Sequence, residues 1–263
     1  MLNTPIYRNR EIEVYKHGLS IPTKAPIVQE VPLTIFLNHM ELATMICSPG
    51  AFQELGAGFL LSEGIIKQPS DIVKMKCSQE EGLLWFETTT PTPQVNNFLR
   101  RHMASCCGKG RAGLYFINDA RQLQAVESDT RFSGPQLLNL IGLLEAQANN
   151  FRLTGGVHSA ALADHSGLLF AYEDIGRHNA VDKVLGRALL NAITGSDKCL
   201  LLSGRIASEI LIKAARSNIP LVLSRSAPTE LAIELAEELN ISMIGFARGD
   251  SFNIYSHRER VKL

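Results

Sequence analysis

The stretch CLLLSGRIASEILIKAARSNIPLVLS, residues 199–224, decides the fold that we predict for this chain. It begins and ends with short, unbroken apolar runs, and the residues between them place apolar side chains at helical spacing. Unbroken apolar strands that alternate with amphipathic helices are typical of a sheet covered by helices on both faces. We therefore predict that this stretch forms a strand, a helix and a second strand of an α/β domain.

The same alternation continues on both sides of this stretch. The patterns predict helices over 135–150, 179–192 and 229–239, and strands over 155–164, 167–174 and 241–247. His165-Ser166 separates the first two of these strands as a short turn. The order α-β-β-α-β-α-β-α-β predicts a three-layer αβα domain over residues 126–263, and it resembles the cytidine-deaminase-like fold.

Residues 1–125 have a different pattern and are predicted to form a smaller, β-rich N-terminal domain. Apolar residues alternate over 33–37, and Asn38-His39 predicts the turn of a hairpin. Ser48 is predicted to cap a following helix that has Pro49 in its first turn. The far end of this domain is basic and carries Cys106 and Cys107, and we expect it to be a flexible loop.

The composition excludes several classes of function. Lys+Arg and Asp+Glu both number 26 in the 263 residues, so the basic excess needed for nonspecific binding to nucleic acid or membranes is missing. The first twenty residues lack the apolar core of a signal peptide, and no run approaches the ~18 apolar residues of a membrane helix. The five cysteines are an odd number, which favours reduced thiols in the cytoplasm.

The likeness to the cytidine-deaminase-like fold does not extend to its zinc site. Zinc deaminases carry H-x-E at one helix start and P-C-x-x-C at the next. This chain has His178 at the first position without a glutamate two residues later, and Gly204 and Arg205 where the second motif has cysteines. We therefore expect neither zinc nor deaminase chemistry, because a zinc-activated water needs three protein ligands.

Several segments in fixed order resemble the FdhD family, whose members are formate dehydrogenase accessory sulfurtransferases. The most specific is EDIGRHNAVDKVLG at 173–186. The others are GFLLSEGII at 58–66, TGGVHSAAL at 154–162, LLSGRIASE at 201–209, SRSAPTELAIELA at 224–236 and GFARGDSFNIY at 245–255. The resemblance spans most of the chain.

The resemblance implies that Cys107 is the catalytic residue and carries sulfur as a persulfide. Family members have a C-G-x-C-G motif, and Cys107-Gly108-Lys109 matches its beginning. Cations such as Lys109 and Arg111 lower the pKa of a nearby thiol and so favour the reactive thiolate. Gly110 stands where the family has its second cysteine, so the role of Cys106 stays open. The alternative is that both cysteines are small core residues.

The resemblance also implies a site for a molybdenum bis(molybdopterin guanine dinucleotide) cofactor, without a metal site in the protein. Four segments follow predicted strands, where open α/β sheets bind ligands: DIGRHN, SGR, SRSAPT and FARGDS. Their arginines, which suit a pyrophosphate, are Arg177, Arg205, Arg225 and Arg248. The family's cofactor contact corresponds to Phe246, Ala247, Arg248, Gly249, Asp250 and Ser251.

Other polar residues near these segments have two interpretations. Ser226 and Thr229 are candidates for helix caps as well as for ligand contacts, and for Ser226 the cap is the favoured interpretation. His178 and Asp182 lie one helical turn apart, and an architectural pair that anchors the turn at Gly176 is the favoured interpretation. His158 is either a hydrogen-bonded structural histidine or a functional one. The remaining cysteines, Cys47, Cys77 and Cys199, are predicted to lie in the core.

The function implied by the resemblance is sulfur transfer. A cysteine desulfurase would load Cys107, and the persulfide would pass sulfur to the molybdenum cofactor that formate dehydrogenase needs. The resemblance also implies a cytoplasmic homodimer. The alternative is a non-catalytic chaperone that binds the cofactor without moving sulfur, and the missing second cysteine of the family motif keeps this alternative open.

Overall fold

The structure of the protein, a computed structural model, describes residues 5–91 and 123–263, and a six-stranded sheet lies in its second half. The strands are β8 (His158–Asp164), β9 (Gly167–Asp174), β10 (Cys199–Leu202), β11 (Leu221–Ser224), β12 (Ser242–Arg248) and β13 (Ser251–Ser256). They lie in the order β13-β12-β11-β10-β8-β9. β10, β11 and β12 are parallel, while β8, β9 and β13 run antiparallel to their neighbours. The sheet is therefore mixed.

Helices cover both faces of this sheet. Alternate strand residues point to opposite sides, so each strand contributes to two separate cores. Leu201 and Leu223 belong to one core beneath α2 (Gly134–Gln147), whereas Leu200 and Val222 belong to the other. Four helices complete that second core: α1 (Phe52–Ser62), α4 (Arg177–Leu190), α5 (Ser208–Arg216) and α6 (Glu230–Glu238). A short helix, α3 (Asn149–Thr154), follows α2. The predicted α/β class is confirmed. The finer likeness to the cytidine-deaminase-like fold stays a prediction.

The first half of the chain contributes a four-stranded sheet and a separate two-stranded ribbon. The sheet has the order β4-β3-β6-β5, built from β3 (Val31–Leu37), β4 (Met40–Cys47), β5 (Ile72–Ser78) and β6 (Leu83–Thr88). The ribbon pairs β1 (Tyr7–Lys16) with β2 (Leu19–Val28). A short parallel pair joins β7 (Phe132–Ser133) to β14 (Val261–Lys262), and 3₁₀ turns lie at Pro69–Asp71 and Arg258–Arg260. The predicted boundary between residues 125 and 126 stays a prediction.

Two local predictions for the first half have opposite outcomes. The hairpin turn at Asn38-His39 is confirmed, since both residues have positive φ (46° and 70°), as a type I′ turn requires. The predicted cap of α1 is wrong. The helix begins at Phe52 after Ala51, without a side-chain capping bond. Ser48 instead accepts a hydrogen bond from Ile175 N at 3.0 Å, because its hydroxyl faces the loop after β9.

Helices α1 and α4 pack against each other through glycines. A Cβ atom added to Gly58 would lie 1.8 Å from the carbonyl oxygen of Asp182, and one added to Gly186 would lie 1.8 Å from that of Glu54. The main chains of α1 and α4 are therefore in direct contact where the helices cross, and only glycine, which has no side chain, allows this contact.

Candidate functional site

The four loops that follow β9, β10, β11 and β12 meet at one edge of the six-stranded sheet, which we call the rim. Main-chain hydrogen bonds connect the loops after β10, β11 and β12: Ile206 N donates to Ala227 O at 3.1 Å, and Phe246 N donates to Ser226 O at 3.1 Å. The loop after β9 lies beside the loop after β10, since a Cβ atom added to Gly204 would lie 3.7 Å from Arg177 Cβ. Ser224 Oγ also donates to Gly204 O at 2.7 Å. The convergence predicted for the segments DIGRHN, SGR, SRSAPT and FARGDS is therefore present.

The four rim arginines differ in their partners. Arg225 forms an ion pair with Glu145 of α2 (Nε to Oε1, 2.5 Å), and Arg248 Nε donates to the carbonyl oxygen of Arg225 at 2.9 Å. Arg177 and Arg205 have no carboxylate partner within residues 5–91 and 123–263. Arg205 and the terminal amino groups of Arg177 are therefore guanidinium donors available to an anion, while Arg177 Nε donates to His178 Nε2 at 3.3 Å.

The segment from Phe246 to Ser251 is the outermost part of the rim. Phe246 is 42% exposed and has a φ of 51°, a conformation that bulky side chains rarely adopt and that is found preferentially at functional sites. Arg248 lies above its ring, with Cζ 5.8 Å from the centroid. Gly249 turns the chain into β13 with a φ of 57°. Asp250 and Ser251 are exposed, whereas Ala247 is buried beneath α2.

A buried ion pair supports the loop that presents Arg177. Asp174 and Lys183 lie 2.7 Å apart, and both side chains are almost completely buried. The Asp174 carboxylate also accepts hydrogen bonds from Gly176 N and from the side chain of Asn179, each at 2.9 Å. Because a buried charge must be paired and hydrogen-bonded, these contacts fix the conformation of the turn. Much of the EDIGRHNAVDKVLG motif is therefore architectural.

A second buried ion pair involves Asp182, the residue that precedes Lys183 in α4. Asp182 is 2.5 Å from Lys213 of α5 and accepts a hydrogen bond from Ser62 Oγ at 2.5 Å. Burial raises the pKa of Asp182, and the positive charge of Lys213 opposes this rise. His178 Nε2 lies 3.5 Å from Glu209 and accepts from Arg177 Nε. Both residues therefore make architectural contacts, but Asp182 makes them with Lys213 and Ser62, and the turn at Gly176 is held by Asp174. The predicted pairing of His178 with Asp182 stays a prediction.

The capping interpretation is wrong for two rim residues. Thr229 occupies the N-cap position of α6, but its side chain makes no capping hydrogen bond. Ser226 lies three residues before that position and contributes through its main chain, since its amide donates to Ser224 Oγ at 3.0 Å. Neither hydroxyl is used by the helix, so both are available at the rim.

The cysteines divide into two groups. Cys107, the predicted catalytic residue, and Cys106 lie outside the residues that the structure describes. Cys47 and Cys199 are buried, as predicted, and burial raises the pKa of Cys47 to about 12. Cys77 is half-buried, and burial raises its pKa as well. Because the thiolate is the nucleophile, these three thiols are poor sulfur carriers.

Metal-binding clusters and membrane-spanning helices are both missing from the part of the chain that the structure describes. Within it, no group of three or more His, Cys, Asp or Glu side chains is arranged to hold a metal ion. None of its helices is both long and apolar enough to cross a membrane.

Fold and rim together define a class: an α/β protein whose strand-end loops gather arginines and glycine turns at one edge of the sheet. The profile of the FdhD/NarQ family matches residues 28–262. The chain therefore belongs to the FdhD/NarQ family.

Individual relatives match the chain over its whole length. "Sulfur carrier protein FdhD" of Bacillus subtilis (strain 168) is 41% identical over 262 residues, covering 99% of this chain and 100% of that protein. The protein of the same name from Staphylococcus haemolyticus (strain JCSC1435) is 43% identical over 262 residues, covering 99% of each. Both are therefore relatives over the full length of the chain.

A solved structure has the same fold. It is the crystal structure of a protein named as a formate dehydrogenase accessory protein, from Desulfotalea psychrophila. It matches with a TM-score of 0.82 and 24% identity, covering 98% of this chain and 100% of that one.

Proposed function

We propose that this protein is a sulfurtransferase that carries sulfur as a persulfide on Cys107 and delivers it to a molybdenum bis(molybdopterin guanine dinucleotide) bound at the rim. The cofactor is the substrate of this reaction. The observation that carries the proposal is the rim itself: Arg177 and Arg205, which have no carboxylate partner within the described residues, and the exposed ring of Phe246 all lie at the same edge of the sheet. The relatives named as sulfur carriers support the sulfur chemistry.

The chemistry of the rim suits a guanine dinucleotide. Arg177 and Arg205 can donate paired hydrogen bonds to pyrophosphate oxygens. Phe246 offers an exposed ring on which a base can stack, and Asp250 can accept from the donor edge of guanine. Gly249 leaves the backbone open for close approach.

The loading step needs only thiol exchange. The Cys107 thiolate attacks the outer sulfur of the desulfurase persulfide, forms a new S–S bond, and releases the desulfurase cysteine as a thiolate. The cations near Cys107 in the sequence favour the attacking thiolate. Because Gly110 replaces the second cysteine of the family motif, we propose a carrier that uses a single thiol.

Three further parts of the proposal concern the setting of this reaction. A cysteine desulfurase is the donor, formate dehydrogenase is the recipient, and the protein acts as a homodimer in the cytoplasm. The name of the Desulfotalea psychrophila structure supports the connection with formate dehydrogenase. Light scattering coupled to size-exclusion chromatography tests the dimer directly.

Intact-protein mass spectrometry tests the carrier role. After incubation with a cysteine desulfurase and cysteine, we expect wild type and Cys106→Ala to gain the mass of one sulfur atom. Cys107→Ala should gain none, because the accepting thiolate is missing. If no variant gains sulfur while the desulfurase is active, the chaperone alternative replaces this proposal.

The Phe246→Ala variant tests the binding site. We expect it to bind GDP-mannose more weakly by about 1–3 kcal/mol, the usual contribution of an aromatic side chain that stacks on a base. Isothermal titration calorimetry measures the difference. Val73→Ala is the matched control, since Val73 is 64% exposed on β5. Equal affinities of wild type and Phe246→Ala would remove Phe246 from the site.

A further inference from the structure

His158 lies toward the β9 end of the rim, where β8 stands between β9 and β10. It is the first residue of β8, where it pairs with Asp174 at the end of β9. The loop after β10 passes beside it: a Cβ atom added to Gly204 would lie 3.3 Å from His158 Nδ1 and 3.7 Å from Arg177 Cβ. The imidazole therefore lies between two of the loops that form the rim.

The imidazole of His158 is half-buried, yet its two ring nitrogens make no hydrogen bond to any residue within 5–91 or 123–263. A structural histidine usually has its ring N–H bonded to an acceptor, which fixes the tautomer. Of the two interpretations that the sequence leaves open for His158, the structure favours a functional one. The side chain is held in place by its strand while its polar atoms stay available.

Burial and the surrounding charges disfavour the protonated form of His158 in the free protein. Burial lowers the pKa of the imidazole, the nearby cation Arg177 lowers it further, and Asp174 opposes both effects. The carboxylate of Asp174 is already neutralised by Lys183 at 2.7 Å. The next residue after Gly204 is the exposed cation Arg205, and the pair of His178 with Glu209 lies on the same side of the sheet. Cations thus dominate the surroundings of His158.

We infer that His158 contacts the pyrophosphate of the guanine dinucleotide and takes up a proton when this ligand binds. The bound anion pairs with Arg177 and so removes the repulsion that disfavours the imidazolium, and it accepts a hydrogen bond from the protonated ring. One proton moves from the buffer to His158 without any change of covalent bonds. This inference rests on the proposed function, because it requires that the rim binds the dinucleotide.

The direction of the pH dependence follows from linkage. Binding raises the pKa of His158, so affinity is highest at low pH, where the bound state holds its proton. Affinity then falls as the pH rises through the window between the free and bound pKa values, and it is constant above both. For a single proton, the slope is at most about tenfold in affinity per pH unit.

Isothermal titration calorimetry with GDP-mannose measures how many protons the protein takes up when this ligand binds. Both phosphates of this probe are esterified, so it lacks the phosphate group that titrates near pH 6 in a monoester. Titrations at about pH 6.5, close to the ordinary histidine pKa, in two buffers that differ in ionisation enthalpy give the number of protons taken up. We expect wild type to take up a measurable fraction of a proton, and His158→Gln to take up none and to bind several-fold more weakly.

A matched control lies at the other end of the same strand. His165 directly follows β8, is exposed, and lies 3.1 Å from Thr130 Oγ1 through its Nε2. His165→Gln should therefore bind GDP-mannose with the same proton uptake as wild type.

Gly204→Ala is a second test, and it leaves His158 in the chain. The methyl group of the new alanine crowds Nδ1 of His158, so binding of GDP-mannose should weaken while the melting temperature stays near that of wild type.

The outcomes separate the inference from the proposed function. Binding of GDP-mannose by wild type with no proton uptake, at an affinity that His158→Gln leaves unchanged, overturns the inference and leaves the rim as the binding site. No detectable binding by wild type overturns both. Proton uptake in wild type that disappears in His158→Gln and persists in His165→Gln supports the inference.

Discussion

Formate dehydrogenase produced together with a Cys107→Ala variant of this protein is expected to have lost its activity, by at least about a hundredfold, because removal of a covalent nucleophile commonly costs more than that. The alanine cannot hold a persulfide, so no sulfur reaches the molybdenum cofactor. The measurement is formate-dependent dye reduction in extracts of cells that contain no other FdhD-family protein. Complementation with wild type sets the upper reference.

The controls for this experiment separate chemistry from folding. Cys106→Ala should restore formate dehydrogenase activity to the level of wild type, since Gly108 and Lys109 leave the matching family motif intact behind Cys107. The Cys107→Ala protein should still bind GDP-mannose, because the rim residues are unchanged. Full formate dehydrogenase activity with Cys107→Ala would contradict the sulfurtransferase proposal and favour the cofactor chaperone.

The rim could be predicted from the sequence because it depends on local patterns. Apolar runs such as Leu200–Leu202 and Leu221–Leu223 identify strands by themselves, and the parallel order places the ends of these strands at one edge. The turn at Asn38-His39 is equally local. Each of these features is determined by residues within one or two elements, so no knowledge of distant contacts is needed.

The partners of individual side chains could not be predicted, because they come from distant parts of the chain. Ser48 looks like a helix cap in the sequence, but its hydroxyl binds the amide of Ile175. Arg225 looks as available as Arg205 until Glu145 of α2 is brought against it. The free nitrogens of His158 likewise depend on which loops surround them. Periodicity gives no information about such contacts.

Some elements were missed because their pattern is not that of a half-buried strand. In the ribbon of β1 and β2 most residues of both strands are exposed, so the contrast between a buried and an exposed face is weak. The strand β13 follows β12 after a turn at Gly249, and its exposed and half-buried residues do not form an apolar run. Both elements depend on pairing with a neighbouring strand.

Replacement of Gly58 or Gly186 by alanine is expected to destabilise the protein severely, although each change adds only one methyl group. The new Cβ atom would lie 1.8 Å from a main-chain carbonyl oxygen of the opposite helix in both variants. Main-chain atoms cannot rotate away as a side chain can, so α1 and α4 must move apart. Overpacking of a core typically costs 1–3 kcal/mol, and we expect at least about 3 kcal/mol here. Thermal unfolding followed by circular dichroism measures the loss.

The matched control for these glycines is Gly142 in α2, where an added Cβ atom would meet no atom within 4 Å. Alanine has the higher helix propensity, so Gly142→Ala should stabilise the protein by about 0.5–1 kcal/mol. A glycine-to-alanine substitution is therefore expected to lower the stability at Gly58 and Gly186 and to raise it at Gly142. The difference arises because only Gly58 and Gly186 lie where α1 and α4 cross. For a protein of this size about 2–4 °C of melting temperature corresponds to 1 kcal/mol. If the Gly58→Ala and Gly186→Ala proteins melt at the same temperature as the Gly142→Ala protein, α1 and α4 do not approach each other as closely as the structure shows. In that case α1 also does not support α4, the helix that carries most of the EDIGRHNAVDKVLG segment beneath the rim.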